Sequence, residues 1–170
     1  MSTQRTTALH AADRFNAIPD ADARERLASC LAVPRWIEDM LAGRPYAGVD
    51  ELLDRGREAA ARLTRTEVEA ALSRHPRIGE RAGAAHDAEF SAREQAGVAS
   101  DEHGALRRAN AAYEARFDRV FLIRAAGRSG AEILAELDRR LQNSDEAELA
   151  EVIVQLGEIA VLRLEQVVEL

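Results

Sequence analysis

The sequence predicts an all-α fold, in which residues 1–170 form a single compact bundle of about eight or nine helices. Three observations predict it. Alanine, arginine, glutamate and leucine are abundant, whereas aromatic residues make up only 4% of the chain. No segment alternates apolar and polar residues over the length of a strand. Helix start signals recur, each of them a capping residue followed three positions later by an acid.

The start signals and the helix breakers divide the chain into elements. Capping boxes are predicted at Asp22–Glu25, Thr64–Glu67, Ser91–Glu94, Ser129–Glu132 and Asn143–Glu146. The prolines and several glycines mark helix edges. Together these signals predict helices at residues 5–15, 21–31, 34–42, 50–62, 65–74, 92–97, 101–118, 130–142 and 145–169.

Two segments between the helices stand out. The run "RVFLIRA", residues 119–125, is the one strand-like stretch of the sequence. We expect an extended segment packed inside the bundle, although a continuation of the preceding helix also fits. Residues 79–90 are the most loop-like part, and a loop of about 12 residues in a compact domain is often functional.

The last predicted helix carries an apolar stripe at helical spacing, formed by Leu149, Val152, Ile153, Leu156, Ile159, Ala160, Leu164 and Val167. Arg163 lies on this stripe. A buried arginine needs an anionic partner, which is either a structural carboxylate or a ligand. Val154, Val161 and Val168 form a second apolar line, so this helix is either central or shared with another subunit. This pattern motivates a homodimer hypothesis.

The composition excludes several functions. All 23 basic residues are arginine, so no lysine can form a Schiff base with substrate or pyridoxal phosphate, or carry biotin. A net charge of −7 without a basic block argues against a nucleic-acid partner. Cys30 is the only cysteine, which suits a reducing cytoplasm. We expect no signal peptide and no membrane span, and therefore a cytoplasmic protein.

His75 lies in "SRHPRIGE", residues 73–80, directly before a proline. Because the residue before proline is biased away from the α region, the helix that begins near Thr64 should end here. A histidine at this position either caps the helix and neutralises its dipole or acts as an acid or base near neutral pH. Position alone favours the cap.

The stretch "SAREQAG", residues 91–97, also has two interpretations. Ser91 and Glu94 can form the capping box of a short helix that ends at Gly97. Alternatively, the short helix presents both side chains to a cavity near His75.

Asn110 lies among Leu106, Tyr113 and Phe117 on one helix face, so its amide needs hydrogen-bond partners. We expect the backbone of a neighbouring irregular segment to supply them. Metal binding is not expected, because His86 and Glu89 lack the paired Glu-x-x-His pattern of a di-metal bundle.

Several motifs in this order resemble the 2-oxo-4-hydroxy-4-carboxy-5-ureidoimidazoline (OHCU) decarboxylases of urate degradation. They are "HPRIGE", "SAREQAG", "N-x-x-Y-E-x-R-F" at residues 110–117, "VFLIRAAGRS" at 120–129, "EILAELDRRLQN" at 132–143 and "LRLEQVV" at 162–168. The resemblance covers nearly the whole chain.

The resemblance implies a cofactor-independent homodimer that converts OHCU to (S)-allantoin with loss of CO2. It assigns His75 and Glu94 as catalytic, and as substrate-binding Pro76, Ser91, Phe121, Leu122, Ile123 and Arg163. We expect His75, Glu94 and Arg163 to converge on one hollow, with roles that can be exchanged among them. Two alternatives are a non-catalytic helical interaction module and an enzyme of this fold acting on another small cyclic carboxylate.

Overall fold

The computed structural model describes residues 11–78 and 102–169, and within these ranges every regular element is a helix. The first helix, α1, is described over residues 11–17. The others are α2 (Asp20–Cys30), α3 (Pro34–Ala42), α4 (Val49–Ala60), α5 (Arg65–Leu72), α6 (His103–Phe117), α7 (Gly130–Arg140) and α8 (Asp145–Glu169). The all-α prediction is thereby confirmed for this part of the chain. None of these helices has the length and apolar character that crossing a bilayer requires.

The chain divides into two compact units. The first unit comprises residues up to Leu63 and from Gly157 onward, and the second comprises Thr64–Leu156. The prediction of one domain over residues 1–170 stays a prediction.

The first unit is built around α3. Trp36 is fully buried, and its indole Nε1 donates to the Gly56 carbonyl of α4 at 3.0 Å. A side chain at Gly56 would meet Leu164, because an added Cβ would lie 2.9 Å from Leu164 Cδ1. The missing side chain therefore lets α4 approach the second half of α8 closely.

The second unit has its own core, in which aromatic rings of α6 meet the segment that follows it. The Tyr113 ring lies 4.8 Å from the Phe117 ring and 5.1 Å from the Phe121 ring, measured between centroids. Aliphatic side chains of α7 complete this core, together with Ile78, Leu106, Ile123 and Ala125. Burial of these side chains is the main stabilising contribution here.

Two of the predicted capping boxes are confirmed and two are wrong. The Thr64 and Ser129 hydroxyls each accept a hydrogen bond from the backbone N–H three residues on. The glutamate at that position accepts in turn from the backbone N–H of the capping residue. Asp22 lies inside α2, which begins two residues earlier after Pro19. Asn143 precedes the true cap of α8, because Ser144 Oγ accepts from the Ala147 N–H at 3.2 Å. The predicted box at Ser91, the helix at 92–97 and the loop at 79–90 lie outside the described residues.

The predicted interior stripe of α8 is mostly confirmed. Leu149 and Ile153 are half-buried, and the buried members are Val152, Leu156, Ile159, Ala160, Leu164 and Val167. The second valine line does not form one continuous exposed face, because Val161 and Val168 are buried and only Val154, at 59% exposure, faces solvent. Since both buried valines belong to the half of α8 that lies in the first unit, that half is central there.

Candidate active site

His75 follows the last turn of α5, and its imidazole is fixed by that helix. Its Nδ1 lies 2.9 Å from the carbonyl oxygen of Ala71, and its backbone N–H donates to the Leu72 carbonyl at 3.0 Å. The predicted helix cap is therefore confirmed. A carbonyl oxygen can only accept, so Nδ1 carries the hydrogen. This bond therefore leaves Nε2, which is shielded from solvent, as the nitrogen that can exchange a proton.

The segment after His75 is attached to α6 at two points. Pro76 is half-buried, and Ile78 is buried in the core of the second unit. The amide Nδ2 of Asn110 donates to the Ile78 carbonyl at 3.0 Å, as predicted for this buried polar residue. Arg77 forms a bidentate ion pair with Glu114, with nitrogen–oxygen distances of 2.5 and 2.9 Å. These contacts fix the backbone that carries the imidazole.

The predicted extended segment after α6 is confirmed. Residues 120–125 contain no helix, and Phe121, Leu122 and Ile123 are buried in succession. The alternative, a continuation of α6, is wrong, because that helix ends at a left-handed residue, Asp118, with φ 52°. Phe121 and Ile123 share the core that contains Ile78, so the structure brings this segment and the His75 segment against one core.

A buried ion pair between α7 and α8 holds this segment, and sequence reasoning missed it. Arg140 and Glu148 are both fully buried, and Arg140 donates to Glu148 Oε1 from Nε at 2.9 Å and from Nη2 at 2.5 Å. Nη1 donates to the Leu122 carbonyl at 2.7 Å. Arg140 continues the apolar line of Ile133 and Leu137 at helical spacing. That is the signal that singled out Arg163, and it could have found this arginine too.

Arg163 lies in the first unit and is only 2% exposed, as its position on the α8 stripe predicted. Its charge acts on the thiol of Cys30, which is also buried. Burial raises the pKa of Cys30 to about 12, while a hydrogen bond from Ser29 and the Arg163 charge act in the opposite direction. Cys30 is thus a neutral packed thiol and not a nucleophile.

Two of the predicted site residues lie in a part of the chain that the structure does not describe. Ser91 and Glu94 lie outside the described residues, so their place beside His75 and the convergence with Arg163 stay predictions. Among residues 11–78 and 102–169, no three His, Cys, Asp or Glu side chains are grouped as metal ligands.

The comparison with known proteins decides the family. A family model described as OHCU decarboxylase matches residues 16–165. This chain belongs to the OHCU decarboxylase family. The resemblance found in the sequence motifs is thereby confirmed, and as a member of this family the chain is a carboxy-lyase.

Individual relatives of this OHCU decarboxylase family member agree. A 2-oxo-4-hydroxy-4-carboxy-5-ureidoimidazoline decarboxylase of Haloferax volcanii is 28% identical over 132 residues, covering 76% of this chain and 79% of that protein. A crystal structure of OHCU decarboxylase in the presence of (S)-allantoin superposes with a TM-score of 0.69 at 24% identity, covering 82% of this chain and 94% of that one. A crystal structure of (S)-allantoin synthase gives 0.65 at 17% identity, covering 92% of this chain and 53% of that one. The two structures establish a shared fold.

Proposed function

We propose that this chain catalyses the decarboxylation of OHCU to (S)-allantoin in urate degradation, without a cofactor. The observation that carries the proposal is the match of the OHCU decarboxylase family model to residues 16–165, which is nearly the whole chain. The crystallised neighbour studied in the presence of (S)-allantoin supports the stereochemistry of the product.

The chemistry of the reaction suits a chain without lysine. The bond between the ring carbon and the carboxylate breaks, CO2 leaves, and the electron pair enters the conjugated imidazoline ring. A proton is then delivered to the carbon that bears the ureido group. Since the substrate holds the electron pair itself, the protein has to supply orientation, charge stabilisation and stereospecific proton delivery.

We assign the proton-transfer role to His75. The bond from Nδ1 to the Ala71 carbonyl fixes both the ring orientation and the tautomer, so that Nε2 is the reactive nitrogen. The carbonyl end of α5 carries partial negative charge, which favours the protonated imidazole when a proton has to be held. A fixed orientation is what delivery to one face of the ring requires.

We assign ring binding to Pro76 and to Phe121, Leu122 and Ile123. Among the described residues, the backbone of this segment forms two hydrogen bonds with other elements. The Leu122 carbonyl accepts from Arg140 Nη1, and the Arg124 N–H donates to Gln155 Oε1 at 2.7 Å. No such bond involves the backbone of Phe121 or Ile123 in that part of the chain. Buried peptide groups need partners, so these groups are suited to a ligand with amide-like edges.

Glu94 and Ser91 are proposed to engage the hydroxyl and ureido side of the substrate, and Arg163 an anionic or carbonyl group. An arginine supplies a planar fork of donors that matches a carboxylate. We further propose that the enzyme is a homodimer of the cytoplasm with no nucleic-acid or membrane partner. The net charge of −7 argues against a nucleic-acid partner. Cys30 is buried and forms no disulfide, which suits the reducing cytoplasm.

The proposal is tested with freshly generated OHCU, followed by circular dichroism of the allantoin formed. OHCU decays spontaneously to racemic allantoin, so the expected result is both a faster decay and an excess of one enantiomer. A non-catalytic interaction module would change neither, and an enzyme for another cyclic carboxylate would leave OHCU at its spontaneous rate. Either outcome would reject the proposal.

A further inference from the structure

The three side-chain nitrogens of Arg140 bind two different partners. Nε and Nη2 bind Glu148, while Nη1 reaches out of the pair to the carbonyl of Leu122. The guanidinium carbon also lies 4.7 Å from the centroid of the Phe121 ring. One buried side chain therefore fixes both a backbone carbonyl and an aromatic ring of the segment assigned above to ring binding.

The pair itself is fixed by further hydrogen bonds. Glu148 Oε1 also accepts from the Tyr113 hydroxyl at 2.5 Å, and Oε2 accepts from Asn143 Nδ2 at 2.9 Å. Burial, with Glu148 as the second cause, raises the pKa of Tyr113, so its hydroxyl stays a donor. The carboxylate thus receives donors from α6, from α7 and from the loop before α8. It cannot turn without breaking several bonds, so the direction of Arg140 is set.

A buried ion pair is not the only way to fill a core. Taking two charges out of water is costly, and apolar residues of similar volume often replace a buried ion pair without loss. What an apolar pair cannot do is hold the Leu122 carbonyl, which lies in a segment with neither helix nor strand to satisfy it. By binding this carbonyl, the ion pair helps to fix the conformation of residues 121–123.

We infer that Arg140, oriented by Glu148, is a positioning residue of the decarboxylase: it sets the conformation of Phe121–Ile123 and so the orientation of the substrate ring. The inference rests on the proposed function. Arg140 acts through the segment and does not itself contact the substrate.

The test is Arg140→Lys, because lysine keeps the charge for Glu148 but lacks the planar fork that serves Glu148 and Leu122 at once. The matched control is Arg139→Lys. Arg139 is the preceding residue of α7 and is half exposed, and it forms ion pairs with Glu136 and Glu151 that do not touch the segment. We expect Arg140→Lys to lower kcat about 10- to 100-fold per folded molecule, as small misplacements do. It should also reduce the enantiomeric excess. Arg139→Lys should leave both at the wild-type level.

Amide hydrogen exchange of residues 120–125 gives a readout independent of turnover. We expect faster exchange there in Arg140→Lys than in wild type or Arg139→Lys. Wild-type exchange together with wild-type kcat and enantiomeric excess in folded Arg140→Lys would overturn the inference, as would losses that match the unfolded fraction. An inactive wild-type chain would instead reject the proposed function and the catalytic part of this inference, and exchange would still decide whether Arg140 sets the segment.

Discussion

At the scale of single residues, we assign different roles to the two nitrogens of His75. Nδ1 stabilises the fold, because it satisfies a carbonyl at the end of α5. The proposed proton transfer is assigned to Nε2. The two interpretations of this histidine, helix cap and proton carrier, are therefore compatible. They can be separated because an asparagine reproduces the position of Nδ1 but not of Nε2.

We predict that His75→Asn keeps the helix cap and abolishes stereospecific allantoin formation. The remaining OHCU loss should fall to the spontaneous rate, while thermal unfolding shifts little. His75→Ala should be equally inactive and also less stable, by about 1 kcal/mol for a lost cap. Enantiomeric excess and the melting temperature of both variants check this, with His103→Asn as the control histidine. Near-normal turnover in His75→Asn would remove His75 from the mechanism.

Arg163 can also be tested with a substitution that keeps its structural role and removes its proposed role in binding. We predict that Arg163→Lys raises KM or lowers kcat by roughly 10-fold or more, because a point-charge ammonium does not reproduce bidentate geometry. The charge near Cys30 is retained, so the fold should be unaffected. Steady-state kinetics with a parallel denaturation curve measure both effects. If the variant binds OHCU as tightly as wild type does, Arg163 is a structural residue.

At the scale of elements, helix starts show where local sequence is sufficient. The boxes at Thr64 and Ser129 need only residues that are three apart. Asp22 and Asn143 fit the same spacing and fail, because α2 begins earlier, after Pro19, and Ser144 supplies the cap of α8. A capping pattern is therefore informative only when the helix does not begin at a neighbouring residue instead.

We predict that Ser129→Ala destabilises the protein by about 1 kcal/mol, the usual cost of a lost N-cap. Asp22→Ala is the matched control, since Asp22 fits the same pattern but lies exposed within α2. It should change the free energy of unfolding by less than about 0.5 kcal/mol. Urea denaturation of both variants gives the comparison. Equal losses would show that the box at Ser129 contributes nothing specific.

At the scale of the whole molecule, carboxylates held by arginine side chains and by a helix cap contribute to the response to acid. The hydrogen bond from Arg139 is the main reason why the pKa of Glu151 lies at about 2 instead of 4.5. The pKa values of Asp145, Glu136 and Glu132 are also lowered, by Arg65, Arg139 and the Ser129 backbone respectively. When folding lowers a pKa, the unfolded chain binds more protons than the folded one at pH values between the folded and unfolded pKa. Stability therefore falls as the pH falls through that interval.

We therefore predict that Glu151→Gln loses less stability than wild type between pH 4.5 and 2, the interval between the two pKa values of Glu151. Above that interval the wild type should be the more stable of the two. Denaturation midpoints at several pH values within and above this range test it. Glu158→Gln, an exposed position of the same helix, should follow the wild-type curve. A Glu151→Gln curve parallel to wild type throughout would contradict the prediction.

Local patterns of the sequence determined most of the described fold and part of the candidate site. The helices, the capped end at His75, the buried Arg163 and the extended 120–125 segment follow from spacing, proline and apolar periodicity, which act within a few residues. The Asn110 bond to an irregular segment followed from the need of a buried amide for partners. The order of six motifs gave the family.

Tertiary structure alone decided which distant groups meet. No local rule joins Arg140 to Leu122, or Tyr113 to Glu148, because these pairs are 18 and 35 residues apart and meet only when three helices pack. The same holds for Val154, whose exposure depends on what covers its turn of α8 and not on its identity. Hydrogen bonds between remote residues form only after the intervening chain has been ordered, which costs entropy. The sequence therefore shows which donors and acceptors are present but not which of them pair.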